Sequence, residues 1–415
     1  MNEQKKNILI ISPLFNPEMN RVNDIVNYLL EKNNHITVLC PIPNYPKGRY
    51  FKNYGIFKKR YEKFGNLKIF RILVYPRKDG SKINLFFNYL SFIVFSIIPA
   101  IMLSFKKFDL IFINQLSPIT IALPGIIIKK IKGIPLIMWV TDLWPESVKD
   151  GGNLKSDFLP KMLNPLVKYI YKNCNEILVS SRSFIDSVAE KTSNKMISYM
   201  PQWSEDLFTN IEYTNFSYKP MERINGFKLL FAGNIGVAQD FDTIIYAMKE
   251  VRNFDIHLVV LGEGRAKQSV LKKIKKHNLE NSISMLGSFP LETMPYFFNK
   301  SDALLISLKK SNIFSKTIPS KTQPYLSSGK PILTNADGEV SKIINEAQCG
   351  LTSNSGDFKT LSENIIRLSK LTSLELELMG LKGKKYSKKN FNRKKILHRL
   401  NNLFSRYIEN DEKIK

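Results

Sequence analysis

Residues 317–351, TIPSKTQPYLSSGKPILTNADGEVSKIINEAQCGL, read as a turn, a short helix, a strand and a second helix. Pro319-Ser320-Lys321 opens the first helix, which carries Tyr325 and Leu326 and ends at Gly329. Lys330-Pro331 redirects the chain, Ile332-Leu333-Thr334 reads as a buried strand, and Asp337-Gly338-Glu339 leads into the next helix. Helix N-termini carry unsatisfied N–H donors and partial positive charge, so Lys321 and the helix start can converge on an anion. The same strand–turn–helix logic recurs at Leu230–Gly236 (LFAGNIG) and Val259–Arg265 (VVLGEGR). Three phosphate-friendly strand ends in one half of the chain point to a nucleotide-diphosphate pocket.

Working outward, 415 residues exceed what one core usually covers, so two domains are expected. The 62 Lys+Arg against 36 Asp+Glu give a formal charge of +26. Such a field attracts phosphorylated substrates, an anionic membrane face or nucleic acid, while abundant Lys and Asn also suit a plain compositional bias. No recognition helix, zinc-finger spacing or aromatic-basic signature accompanies the charge, so nucleic acid is not an expected partner. Cys40, Cys174 and Cys349 are odd in number and far apart, fitting a reducing compartment, a cytoplasmic location and no metal site. The polar start runs straight into a strand, so no signal peptide is expected.

Asn7–Ser12 is a first strand, Arg21–Glu31 a helix with an apolar face, and Ile36–Cys40 a second strand. Such βαβ units build parallel sheets. Strands are expected at 70–74, 110–114, 136–140 and 176–180, and a second alternating series starts at Phe227. The reading is α/β, with two doubly wound, Rossmann-like domains facing across a cleft: 1–210, 220–385, and a basic helix or tail at 386–415. Ligands of such sheets sit at the carboxyl ends of the strands. Lys382–Arg399 holds nine Lys/Arg and no acid, either a solvated helix or a membrane-surface patch.

Leu85–Phe105 is 21 residues without a charge, long enough to cross a bilayer. Asn88, Ser91, Ser96 and a central Pro99, between two strands of one sheet, argue against a span. The expectation is a helical hairpin dipped into the interface, with a single transmembrane segment as the other reading. Lys58-Lys59-Arg60, Lys106-Lys107 and Lys129-Lys130 suit anionic headgroups.

Pro43-Asn44-Tyr45-Pro46, Thr141–Ser147 (TDLWPES), Phe231–Gly236, Gly262–Arg265, Pro319-Ser320-Lys321 and Gly329-Lys330-Pro331 together resemble glycosyltransferase family 4, of GT-B architecture. The resemblance is nearest to the branch that adds N-acetylfucosamine-like sugars in O-antigen and capsule synthesis. It implies a retaining, metal-independent transfer from a nucleotide-sugar, UDP-linked, to a polyprenyl-diphosphate-linked sugar at the inner membrane face. It further implies a nucleobase-cradling turn at Ser288-Phe289-Pro290. Two family glutamates are replaced, by Lys316 and Pro324, which leaves Glu339 as the candidate for the donor ribose. The family's Arg and Lys at the first strand end correspond to Asn234 and Gln239, and the loop around Glu18–Arg21 has no glycine.

Breaking a sugar–phosphate bond needs cations and backbone donors on the departing diphosphate. Lys321 and Arg265 are the expected grip, helped by N–H groups at Gly233, Asn234, Gly236 and Gly329, with Gly262, Gly264 and Ser320 in the same donor site. Asp142, directly after a strand, is the candidate to orient the acceptor hydroxyl; an Asp there also serves as a helix N-cap. Glu146 binds a sugar hydroxyl or stabilises a helix start. The four histidines lie outside the motifs, so histidine acid–base chemistry is not expected. A sugar-nucleotide epimerase and a non-catalytic GT-B scaffold are the competing readings.

Overall fold

The computed structural model describes residues 5–151, 158–192, 195–211 and 215–414. The chain divides into two compact units, Met1–Pro201 with Lys394–Lys415, and Gln202–Arg393. The boundary expected at residues 210–220 thus falls a few residues earlier, and the end of the chain belongs to the first unit.

The first unit holds β1 (Asn7–Ile11), β2 (His35–Pro41), β3 (Tyr61–Phe64), β4 (Leu67–Ile72), β5 (Leu110–Gln115), β6 (Leu136–Val140), β7 (Glu176–Val179) and β8 (Met196–Tyr199). Their order is β3-β4-β2-β1-β5-β6-β7-β8, parallel throughout except for the β3–β4 pair. β5 and β6 are buried along their whole length, as near-continuous apolar runs in a sheet covered on both faces must be. Helix Arg21–Glu31 covers one face through Val22, Ile25, Val26 and Leu29, and Asn20 caps it by accepting from the Val22 N–H. Sequence reading missed β3 and β8. Both are four-residue strands at the sheet edges, exposed or partly exposed along their length, so they lack the long apolar run that marks the central strands.

The apolar segment is one helix, Lys82–Ser104, rather than a hairpin. A reversal needs Gly, Asn or Asp turn chemistry, and Pro99 alone removes one hydrogen bond without turning the chain back. The helix is inverted in polarity. Its buried stripe is Asn88, Phe92, Ser96, Ala100, Leu103 and Ser104. Ile83, Phe86, Val94, Ile98 and Met102 are each more than half exposed. Asn88 donates to the Tyr75 carbonyl, and Ser91 Oγ accepts from the Tyr75 N–H at 2.8 Å. Among the described residues this is the helix long and apolar enough to cross a membrane.

The second unit holds β9 (Phe227–Ala232), β10 (Ile256–Leu261), β11 (Ile283–Gly287), β12 (Ala303–Ser307), β13 (Ile332–Asn335) and β14 (Gly350–Ser353), all parallel in the order β11-β10-β9-β12-β13-β14. Side chains alternate along β9: Leu229 and Phe231 join Ile244, Leu258 and Leu305 on one face, while Leu230 joins Val259, Leu304 and Tyr325 on the other. Each such side chain stabilises the fold by roughly 1.5–3 kcal/mol on burial. Strand order reverses between β1 and β5 in one sheet and between β9 and β12 in the other, the places where open α/β sheets leave a crevice at their carboxyl ends.

The basic run at 382–399 is built into two helices, Ser373–Asn390 in the second unit and Arg393–Ile414 in the first. The latter is bound to its sheet by Phe404 against Phe112 (5.3 Å between ring centres), Lys6 Nζ to Ser405 Oγ (2.6 Å) and Arg406 to Glu176 (3.2 Å). These contacts make it part of a core rather than a tail.

Candidate active site

At the carboxyl end of β9 the chain enters Gly233 at φ +140°, a conformation that side chains rarely adopt. Beneath this glycine lies the ammonium of Lys321, buried, with Nζ 3.5 Å from the centre of the Phe231 ring. A Cβ on residue 233 would stand 3.1 Å from that nitrogen. Lys321 is the N-cap of helix Thr322–Ser328, and Tyr325 pins this helix to the strand end by accepting from the Ala232 N–H at 2.8 Å. Lys321 Nζ has no hydrogen-bond partner among the described residues, and burial pushes its pKa down to about 7. A buried cation without an anion is costly, which is why the charged form is disfavoured here. The buried atoms Ser307 Oγ and Asn335 Oδ1, on paired residues at the ends of β12 and β13, also lack partners, as do Thr322 Oγ1 and Gln323 Oε1 beside Lys321. Sequence reading missed these four. Thr322 and Gln323 follow the Pro-Ser-Lys turn directly and were legible as its continuation, whereas Ser307 and Asn335 carry no motif.

The glycine turns do different work from one another. Gly233 N–H donates to Leu261 O, Ile235 N–H to Glu263 O and Gly236 N–H to Gln239 Oε1. The expected cradle of free N–H groups is therefore largely engaged, Asn234 being the member of Gly233–Gly236 without a partner for its N–H among the described residues. A Cβ on Gly262 would lie 1.9 Å from Gly233 O, and one on Gly264 2.1 Å from Ile235 O. These two glycines let the β9 and β10 turns press backbone against backbone. Gly329 is a left-handed C-cap whose N–H turns back to Leu326 O, so it closes the helix at the carbonyl end, away from an anion-binding terminus.

Arg265 is exposed at the turn preceding helix Lys267–Lys276, and Ser320 and Ser288 are exposed as well. Of the two expected cations, Lys321 is the one buried at the strand ends. Phe289 packs on Phe297 with ring centres 4.6 Å apart, inside an aromatic cluster with Phe216 and Tyr218. Glu339 is buried as the first residue of helix Glu339–Ala347, after Gly338 at φ +74°, whose missing Cβ makes room for the Ser315 carbonyl.

In the first unit, Thr141 follows β6 and ties it to Gln115 O at 2.8 Å, which brings Asp142 to the carboxyl end of the sheet. Its carboxylate accepts from Trp144 Nε1 at 3.3 Å, and that indole also donates to Ser117 Oγ at 3.2 Å. Burial raises the Asp142 pKa, only partly offset by hydrogen bonds from Ser147, Trp144 and Ser117. Trp144 is itself buried, a packing and positioning residue for Asp142. Glu146 begins helix Glu146–Gly151 and pairs with Lys191 at 2.5 Å, leaving Oε2 buried and unpartnered. Asn114 Oδ1 and Gln115 Oε1, at the end of β5, are also buried without partners, and neither was singled out from sequence.

With this geometry in place, comparison with known proteins defines the class. Residues 218–385 match the family Glycosyl transferases group 1. The chain is 25% identical over 264 residues to WbjE of Pseudomonas aeruginosa, named as a glycosyltransferase, a match covering 60% of this chain and 62% of that relative. It is 21% identical to WcaI of Escherichia coli, named for colanic acid biosynthesis, over 80% of this chain and 83% of WcaI. Among solved structures, sucrose-phosphate synthase of Thermosynechococcus elongatus superposes with a TM-score of 0.73 at 13% identity, covering 97% of this chain and 99% of that one. Anabaena HepE in complex with UDP-glucose superposes at 0.69 and 11% identity, over 96% and 99%. The fold is GT-B, and the group 1 glycosyltransferase match lies within the second unit.

Proposed function

We propose that this chain is a retaining glycosyltransferase that moves a sugar of the hexosamine type from a UDP-linked donor to a polyprenyl-diphosphate-linked glycan, in O-antigen or capsule synthesis. The observation that carries the reading is the buried, unpartnered ammonium of Lys321 under Gly233, at the strand-order reversal of a group 1 domain. Positive charge there stabilises a diphosphate as it leaves, the role divalent ions fill elsewhere. Supporting the donor class, HepE has been solved with UDP-glucose; supporting the acceptor class, a Campylobacter jejuni relative, 26% identical over 136 residues, is named for a diphospho-undecaprenol-linked substrate. Asp142, in the first unit, orients the acceptor hydroxyl, and the leaving phosphate takes its proton. The exposed apolar face of helix Lys82–Ser104 and the basic composition support attachment to an anionic membrane surface.

Pro324 and Lys316, standing where the resemblance places glutamates, favour a second reading, a GT-B scaffold without activity. Thermal-shift and calorimetric titration with UDP, GDP and dTDP decide between them. UDP binding by the wild type, lost in Lys321→Ala, is the expected result. A wild type that binds none of the three nucleotides sinks the transferase and leaves the scaffold.

A further inference from the structure

Arg77 lies between two aromatic rings in the first unit, its guanidinium 5.5 Å from the centre of Tyr45 and 6.0 Å from that of Tyr89. It is half-buried and holds no hydrogen-bonded acid among the described residues. Its backbone is fixed: Arg77 N–H donates to Asn44 Oδ1 at 3.2 Å, and the Asn44 and Tyr45 N–H groups donate to Glu18 Oε1 at 2.8 and 2.7 Å. Lys78 N–H donates to Gly48 O, and a Cβ on Gly48 would collide with Lys78 O at 1.7 Å, so the two loops are clasped. Glu18, which feels the charge of Arg77, and Asn44 are thus positioning residues for a cation with no hydrogen-bonded acid among the described residues.

Arg77 lines a recess with Asn44, Asn88, Tyr89 and Phe92, at the carboxyl ends of β1, β2 and β4. The recess admits little more than a water-sized group, so a ligand's charged end meets Arg77 at the rim. Three of those five residues belong to one element. Asn88, Tyr89 and Phe92 stand on helix Lys82–Ser104, whose outer face continues away from the recess as Phe86, Leu90, Val94 and Ile98, all exposed. A guanidinium fork presents five donors suited to phosphate oxygens, and the exposed Lys78 adds positive charge next to it in the chain.

A guanidinium fork without a hydrogen-bonded acid among the described residues, at the start of an uncovered apolar helix, fits a molecule that is anionic at one end and hydrocarbon along its length. We infer that Arg77 binds the diphosphate of a lipid-linked substrate, with the lipid running along the exposed face of helix Lys82–Ser104 in the membrane interface. This rests on the acceptor class proposed above.

The test is flotation of the full chain with phosphatidylcholine vesicles, either doped with polyprenyl diphosphate or brought to equal charge with phosphatidylglycerol. Tighter binding to the diphosphate vesicles is expected, with Arg77→Ala losing that excess by on the order of tenfold and Arg77→Lys falling between. Phe86→Ser with Ile98→Ser weakens binding to both vesicle types. Arg77→Ala indistinguishable from wild type overturns the inference, as does equal binding to both vesicles. Displacement of the excess by an equal concentration of inorganic diphosphate removes the lipid from the proposal, and a lipid-free dimer that does not float assigns the apolar face to a second copy and overturns it. UDP binding on the same preparations separates the two readings: unchanged UDP affinity with no Arg77 effect sinks this inference alone, whereas absent UDP binding sinks the one beneath it.

Discussion

The two sheets reverse strand order in the same way yet line the reversal with opposite chemistry. Between β9 and β12 the buried orphan is a cation, Lys321 Nζ, with hydroxyl and amide groups around it. At the end of β5 the orphans are oxygen acceptors, Asn114 Oδ1 and Gln115 Oε1. On the proposed function, the first would meet phosphate oxygens and the second an acceptor hydroxyl. A shared topology therefore does not dictate a shared ligand, and the side chains at the strand ends decide.

That contrast breaks most sharply at Lys321. Lys321→Met should lower turnover by roughly 10²–10³-fold and weaken UDP binding together, because the same ammonium acts on ground state and transition state. Full activity in a UDP-release assay would erase the distinction between the sheets. Asp142→Asn should cost roughly 10–100-fold in turnover and leave UDP affinity where it was, if it serves the acceptor alone as proposed. A loss of UDP binding in that variant would mean the donor reaches the first unit.

A pH series sharpens the comparison with a smaller effect. With its pKa pushed down to about 7, Lys321 binds diphosphate only when protonated, so UDP affinity should fall from about pH 6 to about pH 8.5. For the nucleotide-free protein the sign is opposite. The group's usual value is 10.5, so between about 7 and 10.5 the unfolded chain holds more protons and stability rises with pH. Chemical denaturation near pH 7 and pH 9 should show this increment in the wild type and not in Lys321→Met. The least effect belongs to Lys191→Ala. Stranding the partly exposed Glu146 should cost roughly 1 kcal/mol, read as a melting-temperature drop of a few degrees.

The strands and their α/β class were legible because β1, β5, β6 and β9 are predominantly apolar runs, and Lys321 was legible because a Pro-Ser-Lys turn precedes a helix. Other features depended on distances no spacing encodes. Gly262 and Gly264 look like phosphate glycines, yet the structure uses them to bring the β9 and β10 turns into contact. Gly233 and Gly236 offered N–H groups that neighbouring backbone and Gln239 occupy first. The apolar segment was recognised by composition, but its inversion, with Asn88 and Ser96 inward and Ile98 outward, appears only once the sheet it lies on is assembled.

The helix Arg393–Ile414 packs on the first sheet although the whole second unit separates them along the chain. The second unit is one continuous stretch of chain and can close as soon as it leaves the ribosome. The first must keep Phe112 and the face around it open until the residues beyond 393 have been made. Nascent chains truncated before residue 394 should accordingly expose a sticky sheet that holdase chaperones recognise, and full-length chains should not.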